Sequence, residues 1–294
     1  MRAHLKLLLL GLTAWISISS ASILVLLSNA HAEACAFWRL VISAFILSIA
    51  WISRNKHVNL DLIRVKWYHF LAGLNLALHF IFWMRSLFMI PVYISTLLVT
   101  LYPFYSLLGE VIVLRYKPPR LQLLGLVIST LLLALYLNIE NLVLNEGALL
   151  ALLGGVVAAV YFELGSYARR VIKEDVVTYA LLTYTISGVF VLLYALVSGV
   201  ELFNYSPSTY IYFALLALVP MTLGHTVINY ILANYPASLV TMIALGEPFG
   251  AGLLAYVILG QSIELAHLFY GSVIVTVVFV TLTATSRRIG EGSQ

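Results

Sequence analysis

The side chains able to do chemistry in this chain are few, and most stand inside apolar runs. Glu247 lies in LGEPFGAG directly before Pro248, Arg39 in AFWRLVIS and Glu163 in VYFELGS. An ionisable group at membrane depth costs about 2.5–3.5 kcal/mol on insertion scales, so each invites a role. Glu247 could bind a solute amine or carry a coupling proton; the other reading is a carboxylate that pins the helix break at Pro248. Arg39 could receive a solute carboxylate, but the favoured expectation is pairing with carbonyls that holds helices together. Glu163 could reach the same cavity or merely pair with a nearby basic residue. Two polar stripes accompany these charges. Asn75, His79, Phe82 and Ser86 recur at +4, +7 and +11, and Thr222, His225, Asn229 and Ala233 do the same. That spacing puts each set on one helix face. They read as facing cavity walls, or as interhelical hydrogen-bonding stripes. Trp15, Trp83, Tyr102 and Tyr161 would supply aromatic walls. Glu110, a turn from Arg115 and Lys117, is expected to pair at the membrane interface, and Arg85 to snorkel to headgroups.

The elements holding these groups are membrane spans. Apolar residues make up 62% of the 294 and charged ones 10%, and the mean hydropathy is +1.02. Such a chain is stable with lipid as solvent, where only helices and closed barrels satisfy the backbone. Apolar runs between charged or turn-rich breaks predict ten helices, at about 5–28, 34–53, 67–88, 92–114, 119–137, 147–169, 176–198, 209–233, 237–259 and 265–285. The run from Leu7 to Leu27 is long for a secretory leader, so Ala30-His31-Ala32 is read as retained chain rather than a cleavage site. Fourteen of the sixteen Lys and Arg fall on one side of this arrangement, and Arg39 and Arg85 fall within spans. Glu33, Glu140, Glu146, Glu201 and Glu264 mark the other side. The positive-inside rule then places both termini in the cytoplasm, with the chain in the cell membrane. The net charge of +4 therefore encodes orientation, and no nucleic-acid partner is expected.

One stretch is written twice. PVYISTLLVTLYPF begins at Pro91 and PASLVTMIALGEPF at Pro236, so that Thr96 faces Thr241, Pro103 faces Pro248 and Phe104 faces Phe249. The offset is 145 residues, five spans. Five is odd, so the halves 1–140 and 141–294 must lie upside down relative to each other, as an inverted repeat. Trp15 opposite Tyr161 and Gly125 opposite Gly271 extend the match with a shift of one residue. A proline inside a span removes a backbone hydrogen bond. Pro103 and Pro248, with Gly246, are therefore expected to mark helix breaks or hinges beside a central site. Gly154, Gly155, Gly250 and Gly252 read as close helix contacts rather than phosphate loops.

AFWRLVISAFIL (from Ala36), LYPFYSLLGEVIVL (from Leu101), LQLLGLVIS (from Leu121) and GEPFGAGLLAYVILGQ (from Gly246) together resemble the EamA-like drug/metabolite transporters. The resemblance spans almost the whole chain. It departs where the family usually ends its proline-bearing helices with Gly-Glu: those glutamate positions hold Tyr116 and Gln261. What the resemblance implies is an all-α fold of two inverted five-helix units and secondary transport of small organic solutes, frequently export. An amino acid or related metabolite is the solute expected on that basis, with protons as a coupling ion and a homodimer as an open possibility. An intramembrane enzyme finds no HExxH, GxSxG or paired intramembrane aspartates. A channel is disfavoured by the lack of charged rings. No cofactor or metal is called for, and no Walker-type loop supports ATP-driven transport.

Overall fold

The structure is a computed structural model that describes residues 2–54, 64–136, 144–260 and 262–291. Lys56 of the basic loop, Glu140 and Gln261 lie outside the described residues. Among those described, regular structure is entirely helical. Eight helices are long and apolar enough to cross a membrane: α1 Leu5–Leu27, α2 Ala32–Arg54, α4 Val92–Ile112, α6 Glu146–Val171, α7 Val176–Ser198, α8 Pro207–Ile231, α9 Ala237–Ile258 and α10 Leu265–Arg287. Between them stand α3 Trp67–Ser86 and the shorter α5 Arg120–Tyr136. The set agrees with the expected spans to within two residues at each end. Ten crossings return the chain to its starting face, called here the terminal face; the opposite one is the far face.

Local chemistry fixes the helix ends. The Asp175 carboxylate accepts from Val177 N (2.8 Å) and Thr178 N (3.2 Å) to start α7, and Asn145 Oδ1 accepts from Ala148 N (3.0 Å) to start α6. Gly199, with φ +67°, ends α7 in the left-handed conformation that a side chain would resist. The outward faces are Leu-, Val- and Phe-rich and exposed, as lipid contact requires. Inside, α3 packs along α6 and α7, α2 along α7, and α5 along α10.

Five helices depart from a straight α-helix, α6 only in a final π-helical turn over Tyr167–Val171. α1 is interrupted at Ser20. α4 breaks between Val99 and Tyr102, and α9 narrows to a 3₁₀ turn over Met242–Gly246 before resuming at Glu247. In both α4 and α9 the resuming segment carries its proline in the first turn, where the missing N–H has no helical acceptor to lose. α8 widens into a π-helix over Ala217–Thr226 around Pro220. Each break exposes backbone that another helix must cover. At α4 the cover is α6: a Cβ on Gly155 would lie 2.8 Å from the Val99 carbonyl oxygen. Gly155→Val should therefore lower the apparent unfolding temperature in detergent, at a cost of about 1–3 kcal/mol from forced separation of α4 and α6. Gly109→Ala, whose Cβ would meet nothing within 4 Å, should leave it unchanged. Equal melting of the two variants would remove the role assigned to Gly155.

Candidate functional site

The breaks in α4 and α9 converge on a small buried chamber. It is lined by Ile18 and Ala21 of α1, Arg39 of α2, His79 and Trp83 of α3, Val99 and Tyr102 of α4, Pro220 and His225 of α8, and Glu247 of α9. Six of the site residues expected from sequence thus meet there: Arg39, His79, Trp83, Tyr102, His225 and Glu247. The free volume is only about 20 Å³, room for little more than one water.

Arg39 dominates the electrostatics. Its side chain is fully buried, and none of its three guanidinium nitrogens has a hydrogen-bond partner among the described residues. The carbonyl pairing expected for it is not made. Its guanidinium carbon instead sits 4.1 Å from the centre of the Phe80 ring, a contact worth about 2 kcal/mol when desolvated and weaker than a carboxylate would supply. Glu247, which starts the second segment of α9, is near enough for the two charges to interact. The histidines are held by rings and backbone. His79 Nδ1–H donates to Gly154 O (2.9 Å), and the ring stacks on Trp83 at 6.0 Å. His225 stacks on Phe162 at 5.8 Å, and its Nδ1 has no partner among the described residues.

Other expected residues stand behind the chamber. Tyr161 packs 6.1 Å from the His225 ring and accepts from Asn229 Nδ2 at 2.6 Å, so both position His225 rather than line the space. Trp15 Nε1 donates to Gly246 O (2.8 Å) and its ring stacks on Phe249, bracing the break in α9. Asn75 folds back onto Leu71 O (2.8 Å) and does not join His79. Glu163 lies away from the chamber, where Glu110 and Arg170 are the charges it senses.

On the terminal face α4 and α9 are latched together, and here an expectation fails. Glu110 is 1% exposed and pairs with neither Arg115 nor Lys117. Its Oε1 accepts from Ala237 N at 2.7 Å, and its Oε2 accepts from the Ser238 hydroxyl. Pro236, the residue before Ala237, has no side-chain cap to offer α9. The Glu110 carboxylate thus caps that helix from another span and complements its dipole. Gln122 Nε2 donates to Ser238 Oγ (2.7 Å), and Tyr116 OH donates to Gln122 Oε1 (2.9 Å). Desolvation and the Glu110 charge push the Tyr116 hydroxyl up to about 12, so it remains a donor at neutral pH. Arg85 also departs from expectation: instead of snorkelling it forms an ion pair with the buried Glu33 (3.2 Å) and donates to Tyr194 OH (2.8 Å).

Towards the far face the same helices stand apart. A cavity of about 490 Å³ lies between α1, α4, α5, α9 and α10, bounded by Ser22, Thr96, Tyr136, Pro248, Ala251 and the segment from Ser262 to His267, among others. Ser22 follows Ala21, Thr96 is one turn from Val99, and Pro248 follows Glu247. This vestibule therefore ends a turn above the chamber.

The family model of EamA-like transporters matches residues 2–138 and again residues 145–283. The chain belongs to the EamA-like transporter family. In this EamA-like protein the two matched segments are the two inverted five-helix repeats. A crystal structure of a protein aligns with a TM-score of 0.76 at 16% identity, covering 95% of this chain and 97% of that one, and shows the fold alone. No curated protein matches the chain by sequence. Family membership makes this a membrane transporter of the drug/metabolite superfamily.

Sequence reasoning passed over Pro220, although a proline midway along a span was the available signal. A second test follows from the unpaired guanidinium. A buried charge without a hydrogen-bonding partner carries a desolvation cost that an apolar side chain of similar length does not. Arg39→Met in this EamA-like transporter should therefore melt at or above the wild-type temperature. A fall of several degrees would make Arg39 a structural residue.

Proposed function

We propose that this EamA-like protein is a secondary carrier that moves small organic metabolites, amino acids or their relatives, by alternating access. The observation that carries the reading is the unpaired Arg39 guanidinium facing a chamber shared with Glu247. A buried cation without a partner is costly, and the solute is the partner that offsets the cost. A zwitterion answers both charges at once: its carboxylate meets Arg39 and its ammonium meets Glu247. Trp83, Tyr102 and His79 then bound its side chain. The chamber is too tight for such a molecule as it stands, so loading requires the helix breaks to shift. The halves 1–140 and 141–294 are the bodies proposed to exchange conformation around it.

Orientation follows from charge. The fourteen basic residues that the sequence puts in the connections expected on that side support a cytoplasmic location for both chain ends in the cell membrane. In that setting the vestibule opens outward and export is the working direction, with protons as the counter-ion and Glu247 as their carrier in the chamber.

Reconstitution tests this directly. Proteoliposomes should show saturable flux of a labelled amino acid with counter-transport. Glu247→Gln should keep exchange but lose its dependence on a pH gradient. Competition by neutral purines or sugars but not by amino acids would sink the zwitterion reading. Linear flux without counter-transport would make the protein a channel, and a Glu247→Gln variant with normal pH dependence would remove that residue from coupling.

A further inference from the structure

We infer that the far-face vestibule is a binding site in its own right, selective for organic cations and distinct from the chamber below it. Size is the first argument. At about 490 Å³ the vestibule lies within the range of small-molecule pockets, about 300–1,000 Å³, whereas the chamber has room for about one water. A solute on the path can therefore reside in the vestibule without any helix moving.

The floor is the second argument. Ser22 and Thr96, which line it, are 0% and 1% exposed, and neither hydroxyl oxygen has a hydrogen-bond partner among the described residues. A buried hydroxyl left unpaired costs about 1–3 kcal/mol. These two sit on different helices, α1 and α4, sealed just beneath the wall of the same space, so a polar guest reaches them only once the floor side chains turn.

The rim settles the sign of the guest's charge. Glu264, with its side chain 80% exposed, is the acidic group among the lining residues, and His267 Nδ1 lies 3.7 Å from its Oε2. Among the described residues, no Lys or Arg lines the cavity. None occurs in the described far-face connections 28–31, 87–91, 199–206 or 262–264 either, whereas Glu201 and Glu264 do. A concave, low-dielectric mouth focuses that negative field and concentrates cations. Rings complete the site: Tyr93 lines the cavity with Tyr136, whose ring meets His267 at 5.1 Å. Aromatic faces beside a carboxylate recognise alkylammonium groups. The inference stands whichever solute the chamber carries.

Calorimetric titration of the full chain in lipid nanodiscs with benzyltrimethylammonium tests it. One saturable site is expected, with benzenesulfonate failing to bind or compete. Glu264→Gln should weaken binding about fivefold, the scale of one solvent-exposed charge pair, and Tyr93→Leu about threefold. Glu264 and Tyr93 are both solvent-exposed, so neither change threatens folding. Glu247→Gln should leave the affinity within a factor of about two, because it alters the chamber and not the rim. The inference is overturned by absence of saturable binding, by equal binding of benzenesulfonate, or by an unchanged Glu264→Gln variant. Loss of the site in Glu247→Gln would overturn it too, by placing the cation in the chamber.

Discussion

No backbone N–H or C=O can be left open to hydrocarbon, and most of this structure follows from how that demand is met where helices stop being helices. α4 and α9 each halt midway, and each halt is covered. Gly155 brings α6 down onto the Val99 carbonyl, and the Trp15 indole donates to the Gly246 carbonyl. Covering the breaks packs α1 and α6 against them. The polar chamber results because several side chains and two interrupted backbones have to share one dry place. The site is thus a by-product of satisfying the breaks, which explains why its walls come from six different spans.

Within that space the charges are not balanced as several are elsewhere in the protein. Glu33 has Arg85, His69 has Glu174 at 2.9 Å, and Glu110 has a helix end. Arg39 has an aromatic ring and the field of Glu247, with no hydrogen bond among the described residues. A protein optimised for stability alone would have closed that gap with a carbonyl or a nearer carboxylate. Stability withheld at a buried group leaves it free to pair with something else, whereas a fully satisfied cavity would have nothing left to offer.

Much of this was readable from the chain, for physical reasons that differ by residue. The spans were legible because lipid demands long apolar runs. The breaks were legible because a proline in a span leaves few alternatives and the motif recurs after 145 residues. Arg39 and Glu247 stood out by their depth. What escaped was contact between distant parts of the chain. Nothing local distinguishes Glu110 from an interfacial acid, since its partners lie 127 and 128 residues onward. Arg85 was misjudged for the same reason, with Glu33 on another helix. The stripes failed in part because helix faces are not rigid rulers. Asn75 turned back to its own backbone, and Thr222 bonds the Ala217 carbonyl (2.8 Å) inside a π-turn that a 3.6-residue period does not describe.

The cap that Glu110 lends to α9 also breaks the symmetry of the two halves. Moving Glu110 and Ala237 through the repeat offset of 145 gives Ala255 and Val92, both on the vestibule wall. Were the far face to shut as the terminal face is shut, a methyl group would meet an isopropyl group where a carboxylate now meets a helix end. One seal is electrostatic and directional; its mirror image is greasy and indifferent to angle. The pseudo-twofold relates the shapes of the two halves but not the chemistry of these two ends, and the difference lies in a single unrepeated acid.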